Sequence, residues 1–213
     1  MQTGITPYPV NFDVPYPEGP RDRKTVGLRI FWVIPIAIVL GFVSGGGGAG
    51  DQAGDAGLAF GIGAGGIVTF GVLLMIVFRQ KYPKWWWDWN LQLTRFSNRV
   101  TSYALLLRDE YPATDDDQAV RFEMPYPDVP TELNRWLPLV KWFLAIPHYI
   151  VLIFLFIGVI VVTIISWFAI LFTGQHPRGL HGYTVGVMRW GNRVTGYAFL
   201  LVTDQYPPFR LQA

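Results

Sequence analysis

The sequence predicts a mainly helical membrane protein of two tandem repeats. Each repeat would carry a transmembrane helical hairpin, about four membrane segments in all, with interfacial amphipathic helices and a small cytoplasmic β layer. Three observations carry this expectation. Hydrophobic residues make up 51% of the 213 residues and charged residues 15%, against about 25% charged in a typical soluble domain. Uncharged apolar runs alternate with short basic stretches. Finally, Arg95-Phe96-Ser97-Asn98-Arg99-Val100-Thr101-Ser102-Tyr103-Ala104 returns as Arg189-Trp190-Gly191-Asn192-Arg193-Val194-Thr195-Gly196-Tyr197-Ala198, with the same spacing back to Pro83 and Pro177.

Other parts recur in the same order. Val14-Pro15-Tyr16-Pro17-Glu18 matches Met124-Pro125-Tyr126-Pro127-Asp128, and the stretch from Arg29 to Pro35 matches Lys141 to Pro147. The expected division is a first repeat over 1–112, an acidic linker over 113–117 and a second repeat over 118–213.

From the start, Met1 to Glu18 is polar and proline-rich, unlike a cleaved signal peptide, so insertion would rest on internal segments. Val10, Phe12, Val14 and Tyr16 alternate with polar residues and prolines, the period-two pattern of a half-buried edge strand; Val120, Phe122, Met124 and Tyr126 repeat it. A first hairpin is expected from segments at about 26–43, kinked at Pro35, and 57–78, joined by a glycine-rich loop over 44–56. The second half has one apolar run from Trp142 to Phe172, with Gly158 the turn-friendly residue near its middle. A full hairpin within about 131–174, a re-entrant pair and one long tilted helix all fit this run. Charge placement favours the hairpin, because every Lys and Arg flanks the apolar segments. That arrangement puts both termini on the cytoplasmic side of a multi-pass protein.

After each apolar stretch comes an aromatic segment suited to the membrane surface, with Trp85, Trp86, Trp87 and Trp89 in the first half and Trp190 in the second. On a helix, Arg95, Arg99 and Ser102 share one face and Phe96, Val100, Tyr103 and Leu107 another. From Val100 and Val194 onward the pattern fits a strand equally well, which could add two strands to the sheet.

The set Ala145-Ile146-Pro147-His148, Trp167 to Leu180, Val187-Met188-Arg189-Trp190 and Asp204-Gln205-Tyr206-Pro207-Pro208-Phe209 resembles a family of bacterial integral membrane proteins known only as a domain of unknown function. The resemblance is specific in the second half and degenerate in the first. It implies a bacterial cytoplasmic membrane and supplies no activity.

Candidate chemistry is sparse. The absence of cysteine excludes disulfides, thiolate metal sites and cysteine nucleophiles. His148 lies in an apolar run, where an ionisable group is a candidate intramembrane polar site, but no Asp or Glu falls between Trp142 and Phe172 to serve a proton relay. His176 and His181 flank a turn and lack further nearby ligands, and Asp115-Asp116-Asp117 reads as a solvated linker. No nucleotide motif stands in a strand-to-helix context, and the basic residues sit beside tryptophans as at a lipid interface, which argues against nucleic acid. The paired clusters Arg95, Asn98, Arg99 and Arg189, Asn192, Arg193 are candidates for lipid-phosphate contact or for fastening one element to another. The function expected is a non-catalytic accessory or scaffold subunit that needs no cofactor or metal and contacts membrane lipids and a membrane-protein partner or a second copy. The alternative is a transporter or lipid-handling protein using the cleft between the repeats.

Overall fold

The computed structural model describes residues 8–44, 70–114 and 116–212. Strand β1 (Asn11–Asp13) leads to a short helix α1 (Arg23–Gly27), α2 (Arg29–Ser44) and α3 (Phe70–Arg79), whose last turn is π-helical. Helix α4 (Lys84–Ala104) is followed by β2 (Arg121–Glu123), α5 (Val129–Glu132), α6 (Pro138–Leu144), α7 (Ile146–Thr173) and α8 (Arg178–Ala198).

Two helices of equal length dominate the polar layer. Both α4 and α8 run for 21 residues and follow a proline, Pro83 or Pro177, whose ring fixes φ while its missing N–H is not needed at a helix start. Both give way to a leucine in the left-handed region, Leu106 (φ 63) and Leu201 (φ 55). That conformation is unfavourable for a residue with a Cβ. Here it drives each leucine into the core, where both are buried.

β1 and β2 pair antiparallel with Phe12 opposite Phe122, and both rings are buried. The flanking Asn11, Asp13, Arg121 and Glu123 face outward, so the alternation in sequence maps directly onto the two faces. Each strand lies on the helix of the other half: β1 on α8 and β2 on α4. The two halves are thus interlaced, and Val10, Val14, Val120, Met124, Leu107 and Leu201 fill one core between them.

The apolar helices pack on this layer by narrow stripes. Leu40 of α2 meets Phe96 and Val100 of α4. Leu152 and Val159 of α7 meet Trp190 and Val194 of α8, and Ile170 at its far end meets Val26 of α1.

The expectation of a four-span fold with a hairpin in each half is overturned. Residues Ile146–Thr173 form one unbroken 28-residue helix, and among the described residues it is the one helix long and apolar enough to cross a membrane. Gly158 makes no turn. A Cβ there would overlap the Tyr183 hydroxyl, which donates to the Leu155 carbonyl, so glycine serves the close approach of α8. Pro147 sits in the first turn, where it interrupts no hydrogen bond. In the first half, α2 has 16 residues and contains Pro35 without breaking; about 20 are needed to span. The glycine-rich loop from residue 45 on and residues 57–69 of the expected second segment lie outside the described residues, as does Asp115. The two extra strands are also corrected. Val100 and Val194 lie within α4 and α8, because their apolar neighbours recur at helical spacing, and among the described residues the sheet has two strands.

Candidate functional site

The paired arginine clusters come together around the strands. Arg95 donates from Nε to the Phe122 carbonyl at 3.0 Å, and Arg189 donates from Nε to the Phe12 carbonyl at 2.9 Å. These carbonyls belong to the two central strand residues, so one arginine from each long helix holds the other half's strand. Arg189 also meets Asp13 at 2.6 Å. Asn98 and Asn192 exchange amide hydrogen bonds, both 2.9 Å, in the buried contact between α4 and α8. Arg99 donates to the Ala113 carbonyl, and Arg193 to the carbonyls of Arg210 and Gln212. Burial, reinforced by the charges of Arg210 and Arg189, pulls Arg193 down to about 10. All six candidates therefore donate to backbone carbonyls, to each other or to an adjacent carboxylate.

His148 is fully buried. Trp190 donates its indole N–H to His148 Nδ1 at 3.0 Å, the imidazole stacks on Phe209 at 3.9 Å, and Tyr206 closes the box at 4.8 Å. Accepting at Nδ1 puts the proton of the neutral ring on Nε2. The box is aromatic and sealed, and it brings the Tyr-Pro-Pro-Phe segment onto the start of α7.

His176 and His181 are also buried and stand edge to face at 5.5 Å, with Tyr16 against His181. Burial pushes the His181 imidazole down to about 4, and His176 and Arg21 add to this; burial lowers His176 as well. Among the described residues, no group of three or more His, Asp or Glu side chains could hold a metal ion.

Asp109, a carboxylate the sequence offers as an arginine partner, is met by Arg21 and Arg29, and the three form a cluster of buried charge. Arg21 is 6% exposed and Arg29 2%. Both pair with Asp109: Arg21 through Nε and Nη2, and Arg29 through Nη2. Arg21 also donates to the carbonyls of Leu106 and Leu107, and Arg29 to those of Tyr103 and Arg108. Burial would raise the Asp109 carboxyl, but the bonds and charges of Arg21 and Arg29 outweigh it and hold the group below the usual range. A simpler version occupies the corresponding place in the second half. There Lys141, fully buried, meets Asp204 at 2.7 Å and donates to the Thr203 carbonyl at 2.8 Å. The signal was present as a basic residue opening each matched apolar stretch and an aspartate after each Asn-Arg-Val-Thr segment.

A cleft of about 590 Å³ opens beside this cluster, between α2 and α7, with Arg29 and Leu106 on its wall. His148 lines neither this cleft nor a smaller polar one near Asp204.

Residues 136–210 carry a DUF4389 domain, a domain of unknown function. The DUF4389 segment covers about a third of the chain and takes in α6, α7 and α8, with His148, Arg189, Asn192, Arg193, Lys141 and Asp204. Arg29, Asp109, Arg95, Asn98 and Arg99 lie outside DUF4389. No curated protein and no solved structure matches the chain.

Proposed function

We propose that the protein is a non-catalytic accessory subunit of a bacterial membrane complex, seated in the bilayer by its apolar helices. The observation that carries this reading is the exposed face of α7. Ile153, Phe154, Ile157, Ile160, Val161, Ile164, Ile165 and Phe172 are all exposed, while only a narrow stripe through His148, Leu152, Val159 and Ile170 is covered. At 1.5 Å per residue, the 28 residues of α7 reach about 42 Å, more than the roughly 30 Å of a hydrocarbon core. Exposed Trp136, Trp142 and Phe143 on and beside α6 give the aromatic belt expected where a chain enters lipid. An apolar surface of this extent needs lipid or protein against it. The resemblance to bacterial integral membrane proteins points to the cytoplasmic membrane.

The non-catalytic part of the reading rests on how the ionisable groups are engaged. The paired arginines and asparagines fasten strands and tails, which is a structural use. We also read the recurring unit of strand and long helix as a tandem duplication, on the strength of the paired sequence segments and the matching contacts made by Arg95 and Arg189. A transporter reading would place His148 in a hydrated path, and the aromatic box around it favours the accessory role.

Two measurements test this. Membranes washed at alkaline pH should retain the protein; release into the wash would refute bilayer seating. Extraction in mild detergent followed by native mass spectrometry should show a second polypeptide or further copies at fixed ratio. A lone monomer would refute the accessory role and leave lipid handling as the better reading.

A further inference from the structure

The cleft between α2 and α7 has walls of one chemistry and an inner end of another. Ile30, Val33, Ile34 and Ala37 line it from α2, and Ile164 and Phe168 from α7. Its volume, about 590 Å³, falls in the roughly 300–1,000 Å³ range of small-molecule sites. Arg29 and Ala37 lie eight residues apart on α2, about 12 Å along the axis, so the cleft is long as well as apolar. Ile30, Ile34, Ile164 and Phe168 line the cleft and also belong to the exposed faces of their helices. The mouth therefore opens onto the surface that faces hydrocarbon, and whatever enters comes from the bilayer.

The inner end holds Arg29. Its Nη1 and Nη2 are engaged by two carbonyls and Asp109, but its Nε–H is buried with no partner among the described residues. A buried donor left unpaired is costly, and more so on a charged group. Asp109 is also shared with Arg21, so two guanidinium groups face one carboxylate and, among the described residues, one positive charge of this cluster has no salt-bridge partner of its own. An anionic oxygen arriving at this end would supply both the missing acceptor and the missing charge. A guanidinium suits phosphate oxygens because its donors are fixed in one plane.

We propose that this cleft binds an anionic phospholipid of the bilayer, with one acyl chain along α2 and the phosphate at Arg29. The site rests on the membrane seating argued above and names the ligand of that surface. At the corresponding place in the second half, Lys141 is balanced one to one by Asp204. The charged end at Arg29 lies outside DUF4389, whereas the α7 wall with Ile164 and Phe168 lies within it.

The test uses the full chain in nanodiscs of equal parts phosphatidylglycerol and phosphatidylcholine, with retained lipid counted by native mass spectrometry after detergent release. Ala37→Trp and Ile164→Trp plug the cleft from opposite walls without touching Arg29; Arg29→Met removes the charge. Wild type is expected to keep phosphatidylglycerol in preference to phosphatidylcholine. Either plugging variant that retains wild-type helicity should lose that lipid by at least about tenfold, which corresponds to about 1.4 kcal/mol. Equal retention of both lipids by wild type would overturn the proposal, as would unchanged phosphatidylglycerol in the plugged variants. Failure of the seating reading is distinguishable, because the wild-type chain would then not incorporate into the discs at all, and that result overturns both.

Discussion

Replacing Asp109 with alanine leaves Arg21 and Arg29 buried without their shared counter-charge. Removing one partner of a fully buried ion pair costs about 3–5 kcal/mol, mostly because the remaining charge stays desolvated. The Asp109 side chain is 32% exposed and water screens part of the interaction, so the lower end, about 3 kcal/mol, is expected. The surviving bonds to the carbonyls of Tyr103, Leu106, Leu107 and Arg108 keep both arginines in place, and the loss should appear as destabilisation rather than rearrangement. The assay is denaturant unfolding in mild detergent followed by tryptophan fluorescence, for which the chain has nine reporters. Asp88→Ala is the control: its pair with Lys84 is exposed on both sides and should cost at most about 1 kcal/mol. The pH dependence follows from the depressed Asp109 carboxyl. Its contribution is fully present above the unfolded carboxylate value of about 4 and is lost as pH falls through the lower folded value. Asp109→Asn should flatten that acid limb. An Asp109→Ala loss no larger than that of Asp88→Ala would refute the reasoning.

Asn98→Ala should cost about 1–3 kcal/mol by leaving the Asn192 amide half-satisfied. The double variant Asn98→Ala/Asn192→Ala should cost clearly less than the sum of the singles; strict additivity in a double-mutant cycle would count against the reciprocal bond. Gly158→Ala should destabilise by about 1–3 kcal/mol through overlap with the Tyr183 hydroxyl. Tyr183→Phe should recover part of that, and no recovery would place the strain elsewhere. For His181, a folded value of about 4 against about 6.5 unfolded keeps the buried ring neutral in the fold. Its contribution is therefore present above about pH 6.5 and lost as pH falls toward 4, by on the order of 3 kcal/mol. Because His176 is also lowered, the pair sets the slope, and a pH-stability profile of His181→Asn that keeps the wild-type slope would refute the assignment.

Much of the polar layer was legible in the residues. Alternation around Phe12 and Phe122 indicates the strands, and amphipathic spacing indicates the first part of α4 and α8, while their ends from Val100 and Val194 read equally well as strands. The six residues Arg95, Asn98, Arg99, Arg189, Asn192 and Arg193 were visible as a repeated set, but their partners were not. An arginine that holds a strand carbonyl and one that awaits a phosphate have the same sequence signature. The expected hairpin differs from the single helix because an apolar run has no period that distinguishes two short spans from one long helix. Gly158 served as the turn signal, yet its role is contact with Tyr183, and that partner comes from another helix. Arg29 stands in the sequence as a single basic residue before an apolar stretch, the pattern of an ordinary membrane flank, and its partners are not visible there.

The sequence by itself determined what is carried by local period and composition. These are the apolar stretches, the strand alternation, the amphipathic spacing of the two aromatic segments and the lack of thiol chemistry, because each depends only on neighbours along the chain. Tertiary structure alone decided which half holds which strand, that the apolar run is a single helix, and that His148 is sealed while Arg29 ends a cleft. Those outcomes depend on charge and shape brought together from residues far apart in the chain, 177 positions in the bond from Arg189 to Phe12. No local pattern records such a distance, since the energy that fixes it appears only when both surfaces leave water together.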